Sequence, residues 1–216
     1  MAAITEGSAT GANALAIGTN SQASGDSAVA VGINAKTNGN RAVAVGSGTS
    51  ASKDDAAAFG SAAGVATQNS VAIGKSASVR EATAGKLASA GVDVKTADTT
   101  TGSGSVAVGA NSKAFGTNAT AVGQSSNALG QNSFAGGQVA KAYGKSSVAV
   151  GDGAVATNDV AAAVGTSSRA TAGGTASLGY GANAAAFGAL ALGRVAESLN
   201  SGDIAIGDGA GKGRKD

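Results

Sequence analysis

The chain has 216 residues, 36 of them glycine, with two tyrosines, four phenylalanines and no proline, cysteine, histidine or tryptophan, which excludes an ordinary core of large side chains. Fifteen basic against thirteen acidic residues leave a formal charge of +2, too balanced to call for nucleic acid or an acidic substrate. Lacking cysteine and histidine, the chain has no disulfide framework and none of the usual general bases, thiolate nucleophiles or soft metal ligands, so neither catalysis nor a cofactor is expected.

No stretch approaches a membrane span, the N-terminus lacks a basic-then-apolar signal, and Met1 reads as a start added to an excised piece. From there one pentapeptide organises the chain. It begins as Ala14-Leu15-Ala16-Ile17-Gly18 and returns fourteen residues later as Ala28-Val29-Ala30-Val31-Gly32, Ala42-Val43-Ala44-Val45-Gly46, Ala56-Ala57-Ala58-Phe59-Gly60 and Ser70-Val71-Ala72-Ile73-Gly74. After a gap it resumes at Ser105-Val106-Ala107-Val108-Gly109 and ends in Gly123, Gly137, Gly151, Gly165, Gly179, Gly193 and Gly207, thirteen copies in all.

A weaker series lies halfway between, marked by Gly11, Gly25, Gly39, Gly116, Gly130 and Gly144, so the unit is seven residues. Each unit reads small-x-small-x-Gly plus two linking residues, the second often asparagine, as at Asn20, Asn34, Asn111, Asn118 and Asn132. Gly and Asn tolerate positive φ, so a five-residue strand ended by a tight turn is expected, two such units forming one coil of a β-solenoid. Period-two alternation excludes helices.

Alternation also assigns faces. Small residues at the first, third and fifth positions of each unit point into the roll, and the second and fourth point out. In the strong series the outward pairs are Leu15/Ile17, Val29/Val31, Val43/Val45, Val71/Ile73, Val106/Val108, Val148/Val150 and Leu190/Leu192, with Ile204/Ile206 beyond. The pattern departs at Ala57, Thr120, Gly136 and Ala162, where Phe59 and Phe134 are placed to refill two layers. In the weak series the outward pairs are mainly polar. So continuous an aliphatic wall exceeds what a soluble monomer leaves exposed, and copies of the chain are expected to cover it. The alternative, with Val and Ile filling the roll and Ala outside, permits a monomer.

The Ser-Val-Ala-Ile-Gly motif, its fourteen-residue recurrence and half-repeats such as Ser112-Lys113-Ala114-Phe115-Gly116 resemble the YadA-like head of trimeric autotransporter adhesins. The resemblance covers nearly all the chain. It implies an all-β, left-handed parallel β-roll of fourteen-residue coils in an intertwined homotrimer. It further implies adhesion to host cells or to extracellular matrix proteins of the collagen, fibronectin or laminin class, from a Gram-negative surface, with the membrane anchor in a C-terminal region outside this sequence.

The interval from Gly74 to Gly109 is 35 residues where one coil would take 14, so 21 are extra. We read 1–79 as head coils, 80–104 as an insert forming a hairpin or loop, and 105–216 as the head continuing. Six-residue acyltransferase periods and Gly-Gly-x-Gly-x-Asp calcium rolls do not fit a period of seven, and a Thr-x-Thr ice-binding ladder is too broken at Ser24, Asn38 and Ser52. Two functions remain: an adhesive head with its own ligand, and a spacer that projects another domain. For the first, Lys113, Asn127 and Lys141 fall in one outward column and Phe115, Leu129 and Tyr143 in the next. Aromatic side chains beside cations suit a binding strip, and mutual cover within a ladder is the competing reading.

Overall fold

The computed structural model describes residues 6–80 and 103–212. The expected hairpin or loop at 80–104 therefore lies outside the described residues except at its two ends. Twenty-six short strands form two parallel thirteen-stranded sheets that the chain visits alternately. One sheet runs from Leu15–Ile17 to Ile204–Ile206 in three-residue strands, and the other from Ser8–Ala9 to Glu197–Ser198 in two-residue strands. Among the described residues there is no helix. The product is a parallel β-solenoid of about thirteen coils, roughly 60 Å long at about 4.8 Å per layer.

Register is uniform: Leu15 pairs with Val29, Val29 with Val43, and so on at fourteen residues. Across the insert the step is 35 residues, yet Val71 pairs with Val106 and Ser78 with Lys113, so both sheets continue without a missing layer.

The strands are shorter than the five residues expected because the first position of each unit closes its own turn. Ser21 N–H donates to Gly18 O at 3.0 Å and Ala14 N–H to Gly11 O at 3.2 Å. The residue before that donor is left-handed, with φ of 57° at Asn20, 58° at Asn34 and 59° at Asn111. The two series use glycine for different reasons. Strong-series glycines hold positive φ, 121° at Gly18 and 128° at Gly32. The weak-series glycines do not, and a Cβ on Gly25 would lie 2.0 Å from Gly39 O in the next coil. Here close stacking of backbones demands glycine, where the sequence reading expected positive φ.

The interior is almost wholly alanine and serine. Ala28, Ala30, Ala42 and Ala44 are fully buried, while Val29, Val31, Val43 and Val45 beside them stay partly exposed. The arrangement with Val inside is therefore not adopted. Val65 and Val79 are the largest fully buried side chains. Many inward hydroxyls are satisfied locally, Ser21 Oγ donating to Gly18 O at 2.8 Å and Thr49 Oγ1 to Gly46 O at 2.7 Å, while the buried Oγ atoms of Ser133, Ser168 and Ser177 have no partner among the described residues. So thin an interior keeps the two sheets close and turns most larger side chains outward, Val65 and Val79 excepted.

Candidate functional site

The sheet of three-residue strands carries two outward aliphatic columns along its length. Leu15, Val29, Val43, Val71, Val106, Val148 and Leu190 stand in one, and Ile17, Val31, Val45, Ile73, Val108, Val150 and Leu192 in the other. Exposure is 47% at Leu15, 43% at Ile73, 37% at Val150 and 39% at Leu192, and the other ten residues of the two columns are half-buried. The irregular layers keep apolar cover at one of their two positions. Phe59 stands beside Ala57, Val122 beside Thr120 and Val164 beside Ala162. Phe134 lies over Gly136, where an added Cβ would meet its ring at 2.7 Å.

The corners are polar ladders that tie each coil to the next. Ala12 N–H donates to Asp26 Oδ1 at 3.0 Å, Asp26 N–H to Asn40 Oδ1 at 3.0 Å, and Asn40 N–H to Asp54 Oδ1 at 2.8 Å. Arg41 and Asp55 form a two-pronged ion pair at 2.7 Å, and Arg194 reaches Asp208 at 2.7 Å. The Arg41 guanidinium, by hydrogen bond first and charge second, holds the Asp55 carboxyl below its ordinary range.

On the other sheet Lys113, Asn127 and Lys141 stack in register. The N–H groups of Phe115, Leu129 and Tyr143 donate to Ala128, Ala142 and Ala156 O at 2.8–2.9 Å, setting these side chains in the adjacent column. Leu129, expected to face solvent, is only 4% exposed. It stands in the middle of the row, with the larger Phe115 and Tyr143 on the coils either side. Burial likewise pushes the Tyr143 phenol above its ordinary pKa.

Sequence reasoning missed Arg80, which it placed in the insert. The guanidinium lies 5.7 Å from the centroid of the Phe115 ring, and Arg80 Nε donates to Ser78 Oγ at 2.8 Å. The signal was available: Arg80 stands 35 residues before Phe115, the step that carries Val71 onto Val106. The strip is thus Arg80, Phe115, Leu129 and Tyr143, beside Lys113, Asn127 and Lys141.

Among the described residues no cluster of Asp or Glu is placed to hold a metal, and no helix is long and apolar enough to cross a membrane. A cleft lined by Glu197, Leu199, Asp203 and Ile204 lies at the end of the last coil. What the molecule offers is surface, in two long faces of opposite character.

The family described as YadA head domain repeat (2 copies) matches residues 9–35, 23–49, 51–77, 101–126, 116–140 and 142–168. A similar solved structure is the collagen-binding domain of Yersinia adhesin YadA, 22% identical, with a TM-score of 0.39, over 87% of this chain and 84% of that one. No curated protein matches.

Proposed function

Because the chain belongs to the YadA head domain family, we propose that it is the adhesive head of a trimeric surface adhesin, which binds host extracellular matrix or host cells. Membership carries an adhesin-type role. The finer reading is that three copies bury the aliphatic ladder against one another, Val29, Val31, Val43, Val45, Val71, Ile73, Val106, Val108, Val148 and Val150 at its centre. The polar sheet then faces outward and meets the host. In this reading the coils of 1–79 and 105–216 form one head, the insert at 80–104 belongs to it, and an anchor outside this chain holds it to a Gram-negative outer membrane.

The observation that supports this reading is the outward ladder itself. Apolar side chains line one whole face of thirteen coils and remain more than a third exposed at Ile73, Val150 and Leu192. A patch of that length marks an interaction surface. At about 1.5–3 kcal/mol for each aliphatic side chain fully buried, covering what remains open along the ladder is a large driving force for assembly.

Sedimentation of the purified chain tests the assembly. A trimer near three times 19.9 kDa is expected, and a stable folded monomer would overturn it. For the ligand face, replacing Phe115, Leu129 and Tyr143 together by Ser is expected to leave the trimer assembled and lower adhesion to matrix-coated surfaces. Unchanged adhesion would remove the strip from the contact. A trimer that adheres to no matrix or cell surface would make the chain a spacer.

A further inference from the structure

Charge on this molecule is segregated by position in the coil. Asp26, Asp54, Asp55, Asp152, Asp159 and Asp208 all fall in the linking residues at the corners. The outward positions of the polar sheet hold five cations, Lys36, Arg80, Lys113, Lys141 and Arg169, and among the described residues a single acid, Glu197 in its last strand. Both ion pairs of the described residues lie at corners. Lys113, Lys141 and Arg169 have no carboxylate partner among the described residues.

These three cations form a straight row. The register runs Lys113, Asn127, Lys141, Val155, Arg169 down one column, so a cation recurs every second coil, about 9.6 Å apart at about 4.8 Å per strand. The hydrogen-bonded ladder holds that interval rigidly. Beside the row runs the covered apolar strip of Phe115, Leu129 and Tyr143, continued by Thr157 and Thr171.

We propose that this row binds a linear sulfated polysaccharide lying along the solenoid axis, its sulfates on Lys113, Lys141 and Arg169. The inference rests on the proposed function, which turns this face outward and names host matrix and cell surface as the target. Spacing selects the class, because two coils match the length of one disaccharide, the repeat at which sulfates recur. An extended acidic peptide presents same-side carboxylates at about 6.6–6.8 Å and falls out of register. Single-stranded nucleic acid binds by stacking bases on open aromatic faces. Here Arg80 covers the Phe115 ring, Leu129 is buried, and Tyr143 is half-buried.

The test is binding of the full chain to immobilised heparin over a range of salt concentrations. One variant carries Lys113→Gln, Lys141→Gln and Arg169→Gln. Its control carries Lys53→Gln, Lys75→Gln and Lys145→Gln, which removes the same charge from the corners. At up to about fivefold per exposed ion pair, the row variant should bind at least about tenfold more weakly and the control within about twofold of the parent. The slope of log affinity against log salt should fall by about one per cation lost from the row. Equal losses in the two variants, or desulfated heparin or single-stranded DNA binding as tightly as heparin, would overturn the proposal. Sedimentation of the same samples separates the two readings. A trimer indifferent to heparin defeats the row alone, and a monomer whose heparin binding still depends on the row defeats the assembly alone.

Discussion

The sharpest prediction concerns three glycine-to-alanine substitutions that differ only in surroundings. At Gly25 an added Cβ would sit 2.0 Å from Gly39 O and 2.4 Å from its carbonyl carbon, backbone atoms held by the next coil's ladder. At Gly48 nothing lies within 4 Å, and φ is 68°. At Gly64 nothing lies within 4 Å and φ is not left-handed. The structure shows how a coil accommodates a side chain at the Gly25 position, because Lys53, Thr67, Asn158, Ala172 and Ala186 occupy it elsewhere. Where glycine stands there, the corner hydrogen bond to the next coil is 2.7 Å (Ser27 to Ala12), 2.8 Å (Arg41 to Asp26) and 3.0 Å (Asp55 to Asn40). Above Lys53 and Thr67 it lengthens to 3.2 Å (Asn69 to Asp54) and 3.3 Å (Gly104 to Gln68), above Asn158 it is 3.1 Å, and above Ala172 and Ala186 it is 3.1 Å (Gly188 to Gly173) and 2.9 Å (Gly202 to Phe187). Gly25→Ala therefore asks one 2.8 Å corner to open toward the 2.9–3.1 Å seen above Ala186 and Ala172, while the corners of Gly11 and Gly39 on either side stay tight. Overpacking of this kind costs about 1–3 kcal/mol. Gly48→Ala should cost about 1–2 kcal/mol in left-handed strain alone. Gly64→Ala should stabilise by about 0.4–1 kcal/mol through the unfolded chain. Urea unfolding at one protein concentration gives the order, and amide exchange at Arg41 should accelerate only in Gly25→Ala. If Gly25→Ala proved as harmless as Gly64→Ala, close backbone stacking would not be the reason for the weak-series glycines.

Three further outcomes follow from the faces and corners. Val148→Asp places three unpaired carboxylates in the proposed interface, costs several kcal/mol, and should shift sedimentation from trimer to monomer; an unchanged trimer would move the interface off the ladder. Because Arg41 depresses the Asp55 carboxyl, the pair's stabilisation is complete above the ordinary aspartate pKa of about 3.9 and fades as pH falls through the lowered value. Asp55→Asn should flatten that acid limb, and an acid limb identical to the parent's would show the pair to be energetically silent. Burial raises the Tyr143 phenol, so the folded state keeps its proton longer, and stability should begin to fall as pH passes the ordinary tyrosine pKa of about 10. Leu129→Ser admits water beside the ring and should move the Tyr143 ultraviolet titration down toward that value; no movement would place the burial elsewhere.

The layer count and parallel stacking were legible in the sequence because a seven-residue period repeats throughout, and alternation reduced the faces to two arrangements, of which the one with small residues inside is adopted. Position within the unit was enough to send Ala30 in and Val29 and Val31 out. What could not be read was geometry between coils. Gly25 and Gly18 are the same letter at the same unit position, but one avoids a neighbouring carbonyl and the other supplies positive φ. Strand length was overread because the first residue of each unit gives its N–H to a turn, which alternation does not register. On the polar sheet the columns were legible and their exposure was not. Leu129 alternates outward like Phe115 and Tyr143, yet between those two large neighbours it is buried. Arg80 was lost because the insert hides the period just where that residue belongs to a coil.

The same outward geometry thus has two fates, and side-chain size decides between them. An interior of alanine and serine offers little hydrophobic stabilisation per residue against about 1–2 kcal/mol of backbone ordering, so a coil depends on its hydrogen-bond ladders and on whatever covers its outer faces. Layers stack about 4.8 Å apart. Across that gap a long aromatic side chain can reach its neighbour, and Leu129, between Phe115 and Tyr143, is buried. Valine and isoleucine are branched close to the backbone and do not reach as far, which is why Val164 remains open although Val150 and Leu178 stand on the coils either side of it. Adding coils lengthens such a column without covering it. A second chain is the remaining source of cover, and it is needed on the aliphatic face while the polar face, whose apolar column is already covered, is free to carry charge toward a partner.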